Sequence, residues 1–149
     1  MIHLGNIQEI DGGKIPIVDV IAFGAPCQDL SIAGKRTGMK SSLNGDDETT
    51  RSGLFYDAIR VIKEMRTEQI RNGKPIELVR PRYAVYENVA GAFSSNSGKD
   101  FQAVLTEIAR VAEPGCPDVP LPKNGKWPKS GFIYKYRMGG VLLHCLEAA

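Results

Sequence analysis

Two short apolar runs along the chain have the length and composition of buried strands. The first, Ile15–Phe23 (IPIVDVIAF), is rich in β-branched residues and lies between the turn-forming stretches DGGK and GAP. We interpret it as a strand of a parallel sheet, because strands covered on both faces are apolar along nearly their whole length. The second run, Tyr83–Tyr86, follows Pro81 and is predicted to be another strand.

Two other segments repeat apolar residues at the spacing of an α-helix, with positions three and four apart sharing one face. Ser52 is placed to cap the start of the first helix, Arg71–Gly73 to end it, and Pro114-Gly115 to end the second. The predicted core positions are Phe55, Ala58, Ile59, Ile62 and Met65 in the first helix, and Phe101, Val104, Leu105, Ile108 and Ala112 in the second.

The order strand, helix, strand, helix predicts an α/β fold, and we expect a three-layer sandwich with a mostly parallel sheet. Residues 24–51 form a long loop after the first strand, and loops of this length are usually functional or disordered. Residues 1–113 are expected to form one domain. Residues 114–149 begin as a connection rich in Pro and Gly, and end in a segment that is compatible with one or two strands or a short helix.

Composition narrows the functional classes only a little. The chain has 149 residues and a net charge of +2, so no strong overall basic field indicates a nucleic-acid partner. The three cysteines, Cys27, Cys116 and Cys145, are widely spaced, so we expect no metal site, and their odd number fits a reducing compartment. The sequence contains no apolar run of membrane-spanning length and no signal peptide, which predicts a cytoplasmic protein without membrane contact. Trp127 is expected to be a packing residue.

The candidate chemistry lies where the two predicted strands end. Cys27 follows the first strand within FGAPCQDLS, and Glu87 and Asn88 follow the second. Parallel sheets bind ligands beyond the carboxyl ends of their strands, so neighbouring strands would direct the thiol and the carboxylate into one cleft. A thiolate beside a carboxylic acid suits addition to an electron-poor ring. A cysteine hydrolase would instead need a histidine base, and neither His3 nor His144 has a suitable context.

The stretches GAPCQDLSIAG, RSGLFYDAIRVIKE and YAVYENV, in this order and spacing, resemble the carbon-5 cytosine-specific DNA methyltransferases. The resemblance covers about residues 4–113 and implies part of the S-adenosylmethionine-dependent methyltransferase fold. It implies that Cys27 attacks carbon 6 of a cytosine flipped out of double-stranded DNA, and that Glu87 binds the ring edge at nitrogen 3. Carbon 5 then accepts the methyl group of S-adenosylmethionine.

The same resemblance implies the remaining site residues. Those expected to bind the DNA substrate are Pro26, Gln28, Ser31, Arg51 and Asn88, and those expected to bind the methyl donor are Asn6, Ile7, Pro26 and Leu54. Asn6 stands where the family usually carries aspartate. The basic residues Lys35, Arg36, Lys40 and Arg51 of the long loop are candidates for phosphate contacts, as an alternative to plain solvated positions.

The family's donor-binding turn and target-recognition domain have no counterpart in this sequence. A second hypothesis is therefore a truncated remnant without catalytic activity, or one half of a split bacterial or phage methyltransferase, that binds only DNA or a partner chain. Apolar surface left uncovered where further strands would pack predicts a partner chain or self-association.

Overall fold

A computed structural model describes residues 2–24, 52–88, 90–127, 132–134 and 141–143. Its helices and strands are, in chain order, β1 (Val20–Phe23), α1 (Ser52–Arg71), β2 (Tyr83–Tyr86), α2 (Lys99–Ala112), β3 (Phe132–Tyr134) and β4 (Val141–Leu143). Strands β1 and β2 form a parallel pair, and β3 and β4 form a separate antiparallel pair. The α/β class is therefore confirmed, and the described residues at the C-terminal end form two of the strands that the sequence left open.

Strand β2 has the predicted bounds, whereas β1 is shorter than the apolar run that contains it. In the parallel register Val20 pairs with Tyr83, so residues 15–18 would have to pair with residues 78–81. Leu78 ends a short 3₁₀ helix, and Pro81 has no N–H to donate. Pairing therefore begins at Val20, and the prediction that the strand starts at Ile15 was wrong.

Helix α1 presents its predicted stripe to the core. Phe55, Ala58, Ile59, Ile62 and Met65 are all buried. The helix begins at Ser52 itself, the residue predicted to cap it. Its end is the predicted one: Gly73 has a φ of 79°, and the N–H groups of Gly73 and Lys74 donate to the carbonyls of Ile70 and Gln69. These two bonds form the Schellman motif, in which glycine relieves the strain of a left-handed backbone.

Helix α2 packs against α1 around Phe55, Ile59, Phe101, Val104 and Leu105, which are buried together. Ala109 takes the buried position that the sequence pattern assigned to Ala112, which is exposed.

Residues that follow α2 return to the same core. Val119 is buried; its N–H donates to Thr106 Oγ1 at 3.0 Å, and its carbonyl accepts from Gln102 Nε2 at 2.7 Å. Trp127 Nε1 donates to the carbonyl of Gly98 at 2.8 Å, and its ring lies edge-on to Phe101. Trp127 is thus a packing residue, as predicted.

The parallel pair has one covered face and one uncovered face. Phe23 and Tyr86 point toward the helices and pack against the core. The opposite face, which we call the open sheet face, consists of Val20, Ala22, Tyr83 and Val85, and these side chains are exposed; Val20 and Val85 retain 53% and 52% of their accessible surface. The described residues therefore form two layers, helices on a sheet, and do not include the third layer of the expected sandwich.

Candidate active site at the carboxyl edge of the sheet

The carboxyl ends of β1 and β2 lie side by side. Phe23 pairs with Tyr86, and the N–H of Glu87 donates to the carbonyl of Phe23 at 3.0 Å, which extends the ladder by one residue. Because the strands are parallel, both chains leave the sheet at this edge. The two strands are therefore neighbours, which is the condition on which a shared cleft depends.

Glu87 lies directly against Gly24, the residue that follows β1. A Cβ atom added to Gly24 would come within 3.0 Å of the Glu87 carbonyl oxygen and 3.1 Å of the carboxylate oxygen Oε2. The side chain of Glu87 is exposed, and Asn88 beside it donates its amide to the Tyr86 hydroxyl. The edge thus presents a solvent-accessible carboxylate immediately beside the chain that leads to Cys27.

Cys27 itself lies outside the described residues, as do the other predicted loop residues Pro26, Gln28, Ser31 and Arg51. Their placement near Glu87 stays a prediction that rests on Gly24, three positions before the cysteine, being in contact with Glu87.

Three aromatic rings support the edge from below. The ring centroids of Phe23 and Tyr86 are 5.4 Å apart, and Tyr86 lies 5.7 Å from Phe55 in an edge-on arrangement. Offset and edge-on ring pairs stabilise such clusters beyond the apolar area that they bury. The last residues of both strands are consequently held on the first turns of α1.

The predicted donor-binding residues that the structure describes occupy two segments, while Pro26 lies outside the described residues. Leu54 is in the first turn of α1, next to Phe55, and its apolar side chain is partly exposed. Asn6 caps a short 3₁₀ helix, Ile7–Glu9, by accepting the N–H of Gln8, and Ile7 is half-buried. An exposed leucine and a half-buried isoleucine suit contact with the apolar faces of a nucleoside, so these residues fit S-adenosylmethionine. The side chain of Asn6 is hydrogen-bonded to the backbone and the side chain of Gln8.

Arg60 of α1 joins the 3₁₀ segment to the helix. Its guanidinium donates to the carbonyls of Ile7 and Ile10 at 2.9 and 2.8 Å, and it forms ion pairs with Asp57 and Glu64. Burial by itself would lower the pKa of Arg60, but the hydrogen bonds and charges of Glu64 and Asp57 outweigh burial and raise the pKa. Arg60 is therefore a permanent cation in this network.

Two other features that would bear on function, a metal site and a membrane-spanning helix, are absent from the described residues. Within the part of the chain that the structure describes, no group of three or more His, Cys, Asp or Glu side chains could hold a metal ion. No helix among the described residues is long and apolar enough to span a membrane.

Sequence reasoning missed Gly24 and Arg60 as site residues. Gly24 had a visible signal, a glycine directly between a strand and the proposed nucleophile. Arg60 had a weaker one, since Asp57 and Glu64 stand three residues before and four after it, the spacing at which side chains meet on a helix. Its carbonyl partners lie about fifty residues away and left no local signal.

A parallel α/β unit with polar groups at the carboxyl edge belongs to the class of folds that bind ligands at that edge. The particular family follows from comparison with known proteins: the profile of the C-5 cytosine-specific DNA methylases matches residues 1–111. The chain therefore belongs to this family of methyltransferases.

Curated relatives agree with this assignment. The chain is 30% identical over 110 residues to the orphan methyltransferase M.Rho11sI of Bacillus phage rho11s. The matched region covers 74% of the chain and 18% of that relative. The chain is 34% identical over 109 residues to the type II methyltransferase M.NgoBV of Neisseria gonorrhoeae, covering 73% and 21%. With the type II methyltransferase M.BbvI of Brevibacillus brevis it shares 28% identity over 141 residues, covering 92% and 29%.

The chain thus spans between about a fifth and three tenths of the length of these relatives. No solved structure matches it significantly.

Proposed function

We propose that this chain carries the catalytic edge of a DNA cytosine-5 methyltransferase. The observation that supports the proposal most directly is the contact between Gly24 and Glu87 at the shared edge of β1 and β2. It brings the start of the chain that leads to Cys27 next to a carboxylate, and the proposed reaction needs a thiol and a carboxylic acid close together. Membership of the C-5 cytosine-specific family supplies the substrate class.

In the proposed reaction the thiolate of Cys27 adds to carbon 6 of a cytosine flipped from double-stranded DNA. Glu87 hydrogen-bonds the ring at nitrogen 3 and stabilises its protonated form, so that the electron pair of the C5–C6 bond becomes available at carbon 5. When bound, S-adenosylmethionine supplies the methyl group. A base then removes the proton at carbon 5, and the electrons that this releases expel the Cys27 thiolate from carbon 6.

Other residues are proposed to bind the two substrates. Pro26, Gln28, Ser31 and Arg51 would contact the flipped nucleotide and its flanking phosphates, together with Asn88. The donor would lie against Pro26, Leu54 and the segment that carries Asn6 and Ile7. We propose that a third layer of helices covers the open sheet face in the complete methyltransferase, and that the protein acts in the cytoplasm of a bacterium or on phage DNA, as in restriction–modification.

The decisive experiment is covalent trapping. The chain is mixed with S-adenosylmethionine and double-stranded DNA that carries 5-fluorocytosine, in which fluorine replaces the proton that must leave carbon 5, so the enzyme cannot release the base. We expect a protein–DNA adduct on a denaturing gel that is absent for Cys27→Ser and slowed by about 10²–10⁴-fold for Glu87→Gln. Glu77→Gln, which alters an exposed carboxylate on the 3₁₀ helix before β2, is the matched control and should behave as wild type.

An adduct that survives Cys27→Ser, or a Glu87→Gln variant as fast as wild type, would contradict the mechanism. If no adduct forms with any variant, the chain is not active by itself.

A second candidate function is favoured by the open sheet face: one part of a two-chain methyltransferase, or a remnant that binds DNA or a partner without catalysis. Parallel sheets are ordinarily covered on both faces, and here Val20, Tyr83 and Val85 are exposed. Trapping restored by adding the remaining part of a related methyltransferase as a separate chain would support the two-chain arrangement. DNA binding without trapping under the same conditions would support the remnant.

A further inference from the structure

The N-terminal segment with the proposed donor residues and the helix with Leu54 are joined by a small set of directed contacts centred on Arg60. Arg60 Nη2 donates to the carbonyl of Ile7 at 2.9 Å, and Nη1 donates to the carbonyl of Ile10 at 2.8 Å. A guanidinium is planar and rigid, so two carbonyls bound by its separate nitrogens are fixed relative to each other and to the helix. The contact therefore sets the backbone of residues 7–10, not merely their proximity.

Arg60 is itself held in place from both sides along α1. Asp57 Oδ1 lies 3.3 Å from Nε, and both carboxylate oxygens of Glu64 lie 3.1 Å from Nη1. Acidic residues at these helical spacings restrict the rotamers of the arginine and neutralise its charge. The guanidinium is thus presented to the Ile7 and Ile10 carbonyls in one orientation.

A second attachment reinforces the first. The N–H of Gly12 donates to Glu64 Oε2 at 2.8 Å, so Glu64 binds both Arg60 and the segment. Gly12 is buried against α1 so closely that an added Cβ would lie 2.1 Å from the carbonyl oxygen of Val61. The segment consequently runs in direct backbone contact with the helix.

We propose that Arg60 is a positioning residue for the methyl donor, a role that rests on the assignment of Asn6, Ile7 and Leu54 to the donor pocket in the proposed function. Leu54 lies six residues before Arg60 on the same helix, about 9 Å along its axis. Arg60 fixes the distance and orientation between that leucine and the Asn6–Ile7 segment without touching the donor. It acts through the carbonyl of Ile7.

The chain provides a matched control in Arg110, which forms an equivalent attachment on α2. Arg110 pairs with Glu107 at 3.1 Å and Asp118 at 2.8 Å, and donates to the carbonyl of Cys116 at 3.4 Å. It therefore ties a helix to a neighbouring segment with the same chemistry as Arg60, but holds none of the proposed donor residues.

The experiment compares S-adenosylmethionine binding, by titration calorimetry, with thermal stability for wild type, Arg60→Gln, Arg60→Lys and Arg110→Gln. We expect Arg60→Gln to weaken donor binding by about tenfold or more, because a small displacement of a binding group has a large effect on the complex. Arg60→Lys keeps the charge but lacks the two-pronged donor, and should recover only part of the affinity. Arg110→Gln should lower the thermal midpoint about as much as Arg60→Gln does, but it should leave the affinity for the donor unchanged.

Hydrogen exchange provides the second readout. Loss of Arg60 should speed exchange at the amides of Glu9, Ile10 and Gly12, which are bonded within the segment or to Glu64, while Arg110→Gln should not. A folded Arg60→Gln variant with wild-type donor affinity, or an equal loss in Arg110→Gln, would overturn the inference. Wild type that binds no donor would overturn it together with the donor-pocket assignment, whereas the roles of Cys27 and Glu87 are judged separately by the DNA adduct.

Discussion

The carboxylate of Glu87 lies against the α-carbon of Gly24, so closely that a methyl group on that carbon would stand 3.1 Å from Oε2 and 3.0 Å from the Glu87 carbonyl oxygen. The absence of a side chain at residue 24 is therefore part of the site. It allows the acid of one strand end to approach the backbone of the other.

Gly24→Ala should displace Glu87 by a few tenths of an ångström and slow trapping of 5-fluorocytosine DNA by at least about tenfold, because geometry at the reacting centre is steeply coupled to rate. Stability should change by no more than about 1 kcal/mol, since Glu87 is exposed and the contacts at 3.0 and 3.1 Å need only a small shift to be relieved. The check is the trapping rate beside a urea unfolding curve. Gly115→Ala, where an added methyl group meets open space, is the control, and equal trapping rates for the two variants would refute the argument.

Gln69→Ala should destabilise the fold by about 1–3 kcal/mol, because it leaves buried backbone groups without partners. Gln69 is buried; its Nε2 donates to the carbonyls of Met65 and Arg80, and its Oε1 accepts from the N–H of Arg80. The side chain thereby fixes the chain just before β2. Urea denaturation measures the effect, and Thr67→Ala, an exposed change on the same helix, should have little effect by comparison.

Cys116 predicts a pH dependence of stability. Burial raises the pKa of its thiol above the ordinary value of 9.0, so above that pH the unfolded chain ionises while the folded chain does not. At such a pH the folded state binds more protons than the unfolded state. The contribution of Cys116 to the free energy of unfolding therefore falls once the pH exceeds the pKa of the thiol in the unfolded chain.

The difference in free energy of unfolding between wild type and Cys116→Ala should therefore shrink as the pH rises above about 9. Because both proteins contain the same other titrating groups, the contributions of those groups to the pH dependence cancel in this difference. A difference that stays constant or grows over that range would show that the thiol is not protected from ionisation.

The open sheet face predicts association through apolar surface. Replacing Val20 and Val85 together by threonine keeps β-branched side chains suited to strands but lowers their hydrophobicity. We expect less binding of an apolar fluorescent dye and less self-association in sedimentation, with a stability change within about 0.5 kcal/mol. Ile2→Thr, at an exposed position outside the open sheet face, should change neither quantity, and undiminished dye binding by the double variant would locate the apolar surface elsewhere.

The sequence was most informative where short-range chemistry decides the structure. Tyr83–Tyr86 was predicted with its correct bounds, because Pro81 and the polar pair Glu87-Asn88 enclose it. The end of α1 followed from Gly73, whose left-handed backbone is a local property. The start of β1 was predicted wrongly, since the length of a strand depends on where its partner can pair. Ala112 was chosen over Ala109 because periodicity alone does not specify how α2 is rotated against α1.

The proposed reacting residues of the candidate site could be predicted from the sequence, but the contacts that hold the surrounding backbone in place could not. Residue type and position identified Glu87, and strand order placed it near the chain that leads to Cys27. The contacts of Gln69 with Arg80, and of Arg60 with Ile7, join residues far apart in sequence, and a side chain that binds a backbone carbonyl leaves no mark on the partner's identity. Such contacts become visible only when the fold is known.

The ring contact between Phe23 and Phe55, whose centroids are 6.3 Å apart, has a consequence for how this protein can diversify. It closes the base of residues 25–51, so the entropic cost of bringing the two ends together is met by packing outside that segment. Because that cost rises by only about 0.6 kcal/mol for each doubling of length, insertions and deletions there that spare the proposed site residues should change the stability of the fold little. The length of this stretch can therefore change in evolution while the sheet edge that carries Glu87 keeps its structure.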